Sequence, residues 1–139
     1  MNKIYKLTPA IKDNIWGGNK LRGYGKESEK DRIAESWELS THPAGQSVID
    51  GGEYDGLTFG AYIEKMGKAV LGTNCERFSE FPVLIKFIDA KEPLSVQVHP
   101  SDEYALRVEG EYGKTEMWYV VASDPGASLY FGVNQPLTK

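Results

Sequence analysis

The chain has 139 residues, 20 acidic against 16 basic, and 40% hydrophobic residues including five Phe, eight Tyr and three Trp, enough to bury the core of one domain. A formal charge of -4 spread along the chain gives no positive field for a phosphate backbone, which sets nucleic acid aside as a partner. A single cysteine, Cys75, forms no internal disulfide, the start MNKIYKLTPAIKDN is polar, and the longest apolar stretch, Val83 to Ile88, is far shorter than the ~20 residues of a membrane span. The expectation is a soluble, cytoplasmic protein with no membrane partner.

The pattern is mostly β. Ile33 to Ser40 and Ser47 to Ile49 read as strands flanking the turn residues Pro43, Ala44 and Gly45, with further turns at Gly51-Gly52 and Tyr54-Asp55-Gly56. Thr58 is a natural N-cap, and Phe59, Tyr62, Ile63 and Met66 fall at helical spacing and predict a core-facing helix that Gly67 stops in a left-handed conformation. Pro82 to Ile88 is a continuous apolar run, expected to be a strand covered on both faces, with Lys86 as its anomaly.

From Leu94 to His99 the alternation is strict, so a strand there places Leu94, Val96 and Val98 on one face and Ser95, Gln97 and His99 on the other. Ser101 is positioned to cap a short helix opening on Asp102 and Glu103 and ending before Gly110 and Gly113. Thr115 to Val121 and Ser128 to Val133 read as strands, separated by a turn at Asp124-Pro125-Gly126. No repeat or linker divides the chain, and it reads as one region, 1–139.

Gln97 and His99, two apart on a strand, send an oxygen and an imidazole nitrogen to one side, and Glu116 would complete a mixed nitrogen and oxygen set suited to zinc. A histidine on a polar strand face is more often a hydrogen-bonded surface or core group. Lys86 and Lys114 can be point-charge anchors for an anion, although a lysine in an apolar strand can also run its stem along the core and release its charge at the edge. His42 reads as a loop residue before a turn. Trp16-Gly17-Gly18 is either a sugar-stacking platform or a packed turn, and Cys75 is read as inert.

Several segments together resemble the type I mannose-6-phosphate isomerases, zinc enzymes of the cupin fold, in their short bacterial form. They are Trp16-Gly17-Gly18 with Leu21, Ala34 to Ser40 with His42-Pro43 and Gly45, Lys86 to Ala90, Leu94 to Pro100, and Gly113 to Tyr119. The resemblance implies a mainly β, cupin-like antiparallel jelly-roll barrel with one or two short helices. Gln97, His99 and Glu116 match three of the family's four zinc ligands, and Lys86, Ser95 and Lys114 match residues lining its sugar-phosphate pocket. The fourth ligand, a histidine, and an arginine that assists catalysis lie farther downstream in the family, past Lys139.

The reaction so implied interconverts mannose 6-phosphate and fructose 6-phosphate by moving a proton between C1 and C2 through a cis-enediol. With the barrel incomplete, the chain alone is expected to be inactive, to hold zinc weakly or not at all, and to form a homodimer or strand-exchanged oligomer through open sheet edges, chiefly around Leu129, Tyr130 and Phe131. The catalytic base is not named by any residue here. The rival readings are a non-catalytic sugar- or metal-binding cupin and a metal-dependent oxygenase, against which Gln97, standing where a second histidine would be expected, argues.

Overall fold

The computed structural model describes residues 4–135. They divide into two compact units, one up to Leu94 and one from Ser95.

In the first unit, β1 (Lys6–Thr8) pairs with β4 (Val48–Asp50), and β2 (Ala10–Lys12), β3 (Glu35–Leu39) and β5 (Ile85–Ile88) form a three-stranded sheet in the order β2-β3-β5, every pairing antiparallel. The two expected strands flanking Pro43 to Gly45 therefore exist but belong to different sheets. Ser47 joins them across that turn, its N–H donating to the Ser40 carbonyl at 3.0 Å. Ile33, Ala34 and Ile49 are buried with Leu21, which a short 3₁₀ turn over Lys20–Tyr24 carries inward. Ser36, Ser40 and Ser47 are equally buried, and the Ser47 hydroxyl is satisfied twice, donating to the Trp37 carbonyl at 3.1 Å and accepting from Ser40 N–H at 3.0 Å.

Helix α1 (Phe59–Met66) begins where expected, with Thr58 Oγ1 accepting from Ala61 N–H at 3.2 Å. Gly67 ends it with φ 79° but an extended ψ of 158°, so the positive φ is as expected and the left-handed helical geometry is not. No residue of α1 is fully buried and Met66 is exposed, so its stripe covers the edge of the core.

Strand β5 occupies only Ile85 to Ile88, and it is not covered on both faces: Ile85 is 51% exposed. An apolar run cannot by itself tell two covered faces from one.

Trp16-Gly17-Gly18 is a packed turn rather than a platform. Gly17 bridges Ala90, Gly18 N–H donates to the Asp89 carbonyl at 3.1 Å, and the Trp16 carbonyl accepts from Lys91 and Glu92 N–H. A Cβ on Gly17 would lie 2.2 Å from the Ala34 Cβ, so only glycine permits this approach. The Asp89 carboxylate, buried beneath the turn, accepts from Lys20 N–H at 2.7 Å.

In the second unit the only regular element among the described residues is α2 (Asp102–Val108), which buries Ala105. Ser101 takes the N-cap position without its side chain capping the helix. The turn at Asp124 closes as expected, with Ala127 N–H donating to the Asp124 carbonyl at 3.1 Å. The strands expected over Leu94 to His99, Thr115 to Val121 and Ser128 to Val133 are absent: these segments carry no ladder among the described residues. Extended backbone becomes a strand only with a hydrogen-bonded neighbour, and none of these segments is given one. Their apolar side chains stand in the open, Val98 at 89%, Met117 at 91% and Phe131 at 95% exposure. Among the described residues the strands pair antiparallel and two short α-helices accompany them, a mainly β arrangement in line with the expected cupin-like fold. No helix among the described residues is long and apolar enough to cross a membrane.

Candidate metal centre

In the second unit His99 and Glu116 meet: His99 Nε2 lies 2.8 Å from Glu116 Oε2. Lys114 Nζ sits 2.6 Å from the other carboxylate oxygen, and the Trp118 indole N–H donates to Oε2 at 3.3 Å. Partial burial alone would push the Glu116 carboxyl up, but the hydrogen bonds from Lys114, His99 and Trp118, with the Lys114 charge, outweigh it and hold the group at about 2. Glu116 is thus an ionised acceptor with three donors around it.

Ser95 and Gln97 share a side, as alternation requires, with the Gln97 amide nitrogen donating to Ser95 Oγ at 3.3 Å. That leaves the amide oxygen of Gln97 as the atom it can offer a cation. Among the described residues no group of three His, Cys, Asp or Glu side chains is placed to hold a metal ion, and His99 and Glu116 are the two such side chains that meet here.

His99 and Glu116 are donors of kinds that zinc takes. Two ligand atoms ~2.0–2.1 Å from a tetrahedral ion stand ~3.3 Å apart, about half an ångström more than the hydrogen-bonded separation of His99 and Glu116. An imidazole nitrogen, a carboxylate and an amide oxygen are donors of borderline and hard character, which zinc accepts.

Lys86 lies in the first unit, and the register explains its charge. Trp37 stands directly opposite it, and Glu35, two residues along the same face, reaches it diagonally, with Lys86 Nζ 3.3 Å from Glu35 Oε1. The second oxygen of Glu35 accepts from the Trp37 indole N–H. Lys12, opposite Glu35 on β2, places its ammonium 4.6 Å from the centre of the Trp37 ring. His42 packs edge-on against that ring at 5.7 Å while its Nδ1 accepts from Ala44 N–H, which accords with a loop residue. The roles of Glu35, Trp37 and Trp118 were not read from the sequence. A lysine in an apolar strand calls for either an edge or a counter-charge, and Glu35 supplies the counter-charge.

The family description "Phosphomannose isomerase type I, catalytic domain" matches residues 4–123. The chain belongs to this family. It is 44% identical over 128 residues to the mannose-6-phosphate isomerase of Streptococcus mutans, a match covering 91% of this chain and 39% of that protein. With Mannose-6-phosphate isomerase ManA of Bacillus subtilis it shares 39% identity over 127 residues, again 91% of this chain and 39% of the relative. Phosphomannose isomerases of known structure agree: the Bacillus subtilis mannose 6-phosphate isomerase superposes with a TM-score of 0.69 at 38% identity, over 78% of this chain and 34% of that one. A zinc-bound mannose 6-phosphate isomerase gives 0.61 at 27% identity, over 77% of this chain and 29% of that one. The chain spans about two fifths of the length of the curated relatives it matches.

Proposed function

We propose that the chain supplies the amino-terminal share of a zinc-dependent isomerase interconverting mannose 6-phosphate and fructose 6-phosphate, with His99, Glu116 and Gln97 as its zinc ligands. The observation that carries this reading is the meeting of His99 with Glu116, beside Lys114, on segments that sequence separates by 17 residues. Zinc, when bound, supplies a Lewis acid for the oxygens at C1 and C2 of the sugar. His99, Glu116 and the amide oxygen of Gln97 would hold it, and Ser95 steadies the Gln97 amide by accepting its N–H. In the second unit Lys114 would offer its ammonium group to the phosphate; Lys86, in the first unit, matches a pocket lysine of the family in sequence and is balanced by Glu35.

The reaction exchanges a proton between adjacent carbons with no net oxidation. This reading places the protein in the cytoplasm with its phosphorylated substrate, in keeping with a single cysteine. The open apolar side chains around Phe131 make a second copy of the chain the partner expected in solution, which light scattering over a range of concentrations tests.

Zinc calorimetry on a chimera, in which this chain replaces the matching region of the Streptococcus mutans enzyme and the rest of that enzyme completes the site, and on its His99→Ala and Glu116→Ala forms tests the ligand set. Isomerase assay of the same chimera tests the activity. The expected result is turnover by the chimera that Glu116→Ala abolishes. Zinc affinity indifferent to both substitutions, or a chimera whose turnover Glu116→Ala leaves unchanged, overturns the reading.

A further inference from the structure

His99 and Glu116 have to be brought together without the usual means. No strand ladder among the described residues ties the segment before α2 to the segment after it, yet the two side chains meet at 2.8 Å. Something else must set the register of one segment against the other.

The structure offers one clasp. Asp102, the first residue of α2, does not spend its carboxylate on its own helix: Oδ1 accepts from Gly113 N–H at 2.9 Å, eleven residues on. Gly113 is seated so closely on the turn before α2 that a Cβ there would lie 2.4 Å from the Pro100 carbonyl oxygen and 2.8 Å from Asp102 N. These are backbone atoms and cannot swing aside. Pro100 follows His99 directly, and Gly113 precedes Lys114 by one residue and Glu116 by three. The clasp therefore closes the excursion through α2 at its base, immediately beside both ligands.

We propose that Asp102 is a positioning residue for the metal centre: its hydrogen bond to Gly113 sets the register in which His99 and Glu116 face one another, and Gly113 is the seat that makes this register possible. The proposal rests on the reading of His99 and Glu116 as zinc ligands. Asp102 touches neither ligand nor substrate, so its loss acts through geometry. Partners outside the ligand set commonly change metal affinity by about 10–100-fold, and one backbone hydrogen bond belongs at the lower end.

The test uses zinc chloride titrated by calorimetry into the metal-free chimera with the Streptococcus mutans enzyme and into its Asp102→Ala, Asp102→Asn, Gly113→Ala and His99→Ala forms. Nitrogen NMR of the His99 ring in the metal-free proteins and the circular dichroism of each accompany it. Asp102→Ala is expected to weaken zinc binding about 10-fold and to move the His99 ring signal away from its Glu116-bonded position, with the helical signal kept. Asp102→Asn, which keeps an acceptor oxygen, is expected to restore both, and Gly113→Ala to act like Asp102→Ala. Should Asp102→Ala leave both the zinc affinity and the His99 signal at their starting values while His99→Ala weakens binding, the clasp is wrong and the ligand reading stands. If His99→Ala also leaves binding unchanged, the ligand reading itself fails. Loss of the helical signal in Asp102→Ala, with no rescue by Asp102→Asn, assigns Asp102 to helix stability and overturns the proposal.

Discussion

Replacing Lys86 by methionine separates what this lysine does for the sheet from what it does for a phosphate. The change keeps the length and apolar stem of the side chain and removes only the ammonium, leaving Glu35, whose side chain is 9% exposed, without its counter-charge. At 3.3 Å and an effective dielectric of ~20 the attraction is about 5 kcal/mol, most of which the desolvation of the pair offsets. Because the Lys86 side chain is 21% exposed, water can take over part of its role, which places the expected loss at about 2 kcal/mol, below the ~3–5 kcal/mol of a fully buried orphaned charge. Glu35→Gln combined with Lys86→Met removes both charges and keeps an acceptor for the Trp37 indole, so the double variant should recover most of that loss. Urea unfolding followed by tryptophan fluorescence measures all three. Lys86→Met within about 0.5 kcal/mol of the starting protein, or a double variant no more stable than the single one, would show that the pair does not hold the sheet.

Gly17→Ala should cost about 1–3 kcal/mol, since its Cβ would fall 2.2 Å from the Cβ of a buried Ala34, and thermal unfolding should show the lowered midpoint. Thr58→Ala removes the side-chain acceptor for Ala61 N–H and should cost about 1 kcal/mol, measured by urea unfolding, with Thr58→Ser largely neutral. For Glu116 the carboxyl lies at about 2 in the folded chain against the usual 4.5, so its contribution to stability is complete above about pH 4.5 and disappears as the pH falls towards 2. Carbon NMR of the metal-free chain should find that low midpoint, and Lys114→Ala should move it up towards the ordinary value. A midpoint near 4.5 in the unsubstituted chain would contradict the geometry around this carboxylate.

Local chemistry made the first unit legible. Thr58 as a cap, the helical spacing of Phe59 to Met66 and the glycines at 17 and 18 each act through neighbours a few residues away or through a conformation only one residue type adopts. The pairing of β3 with β5 was not legible, because it joins residues about 50 apart and depends on a register that no single segment encodes. In the second unit, alternation foresaw the shared side of Ser95 and Gln97, since parity is a property of extended backbone whether or not a ladder forms. The strands themselves did not follow, because a ladder requires a partner as well as a pattern. The meeting of His99 and Glu116 was expected from the family resemblance and from a neighbouring strand that is not formed, whereas Asp102 and Trp118, which contact backbone and carboxylate through single hydrogen bonds, leave no signature in spacing.

The turn at Trp16 to Lys20 has a consequence for how the chain can be assembled. Its backbone is pinned by Asp89, which receives Gly18 N–H and Lys20 N–H, and whose own N–H reaches the Ala34 carbonyl. Residues made early in synthesis are thus completed by one that a ribosome delivers 69 positions later. The thermodynamic penalty is small, because doubling a loop adds only about 0.6 kcal/mol to its closure, but the delay is not, since no nearer residue can take the place of Asp89. Until then the N–H groups of Gly18 and Lys20 lack the acceptors that Asp89 provides and must be satisfied by water.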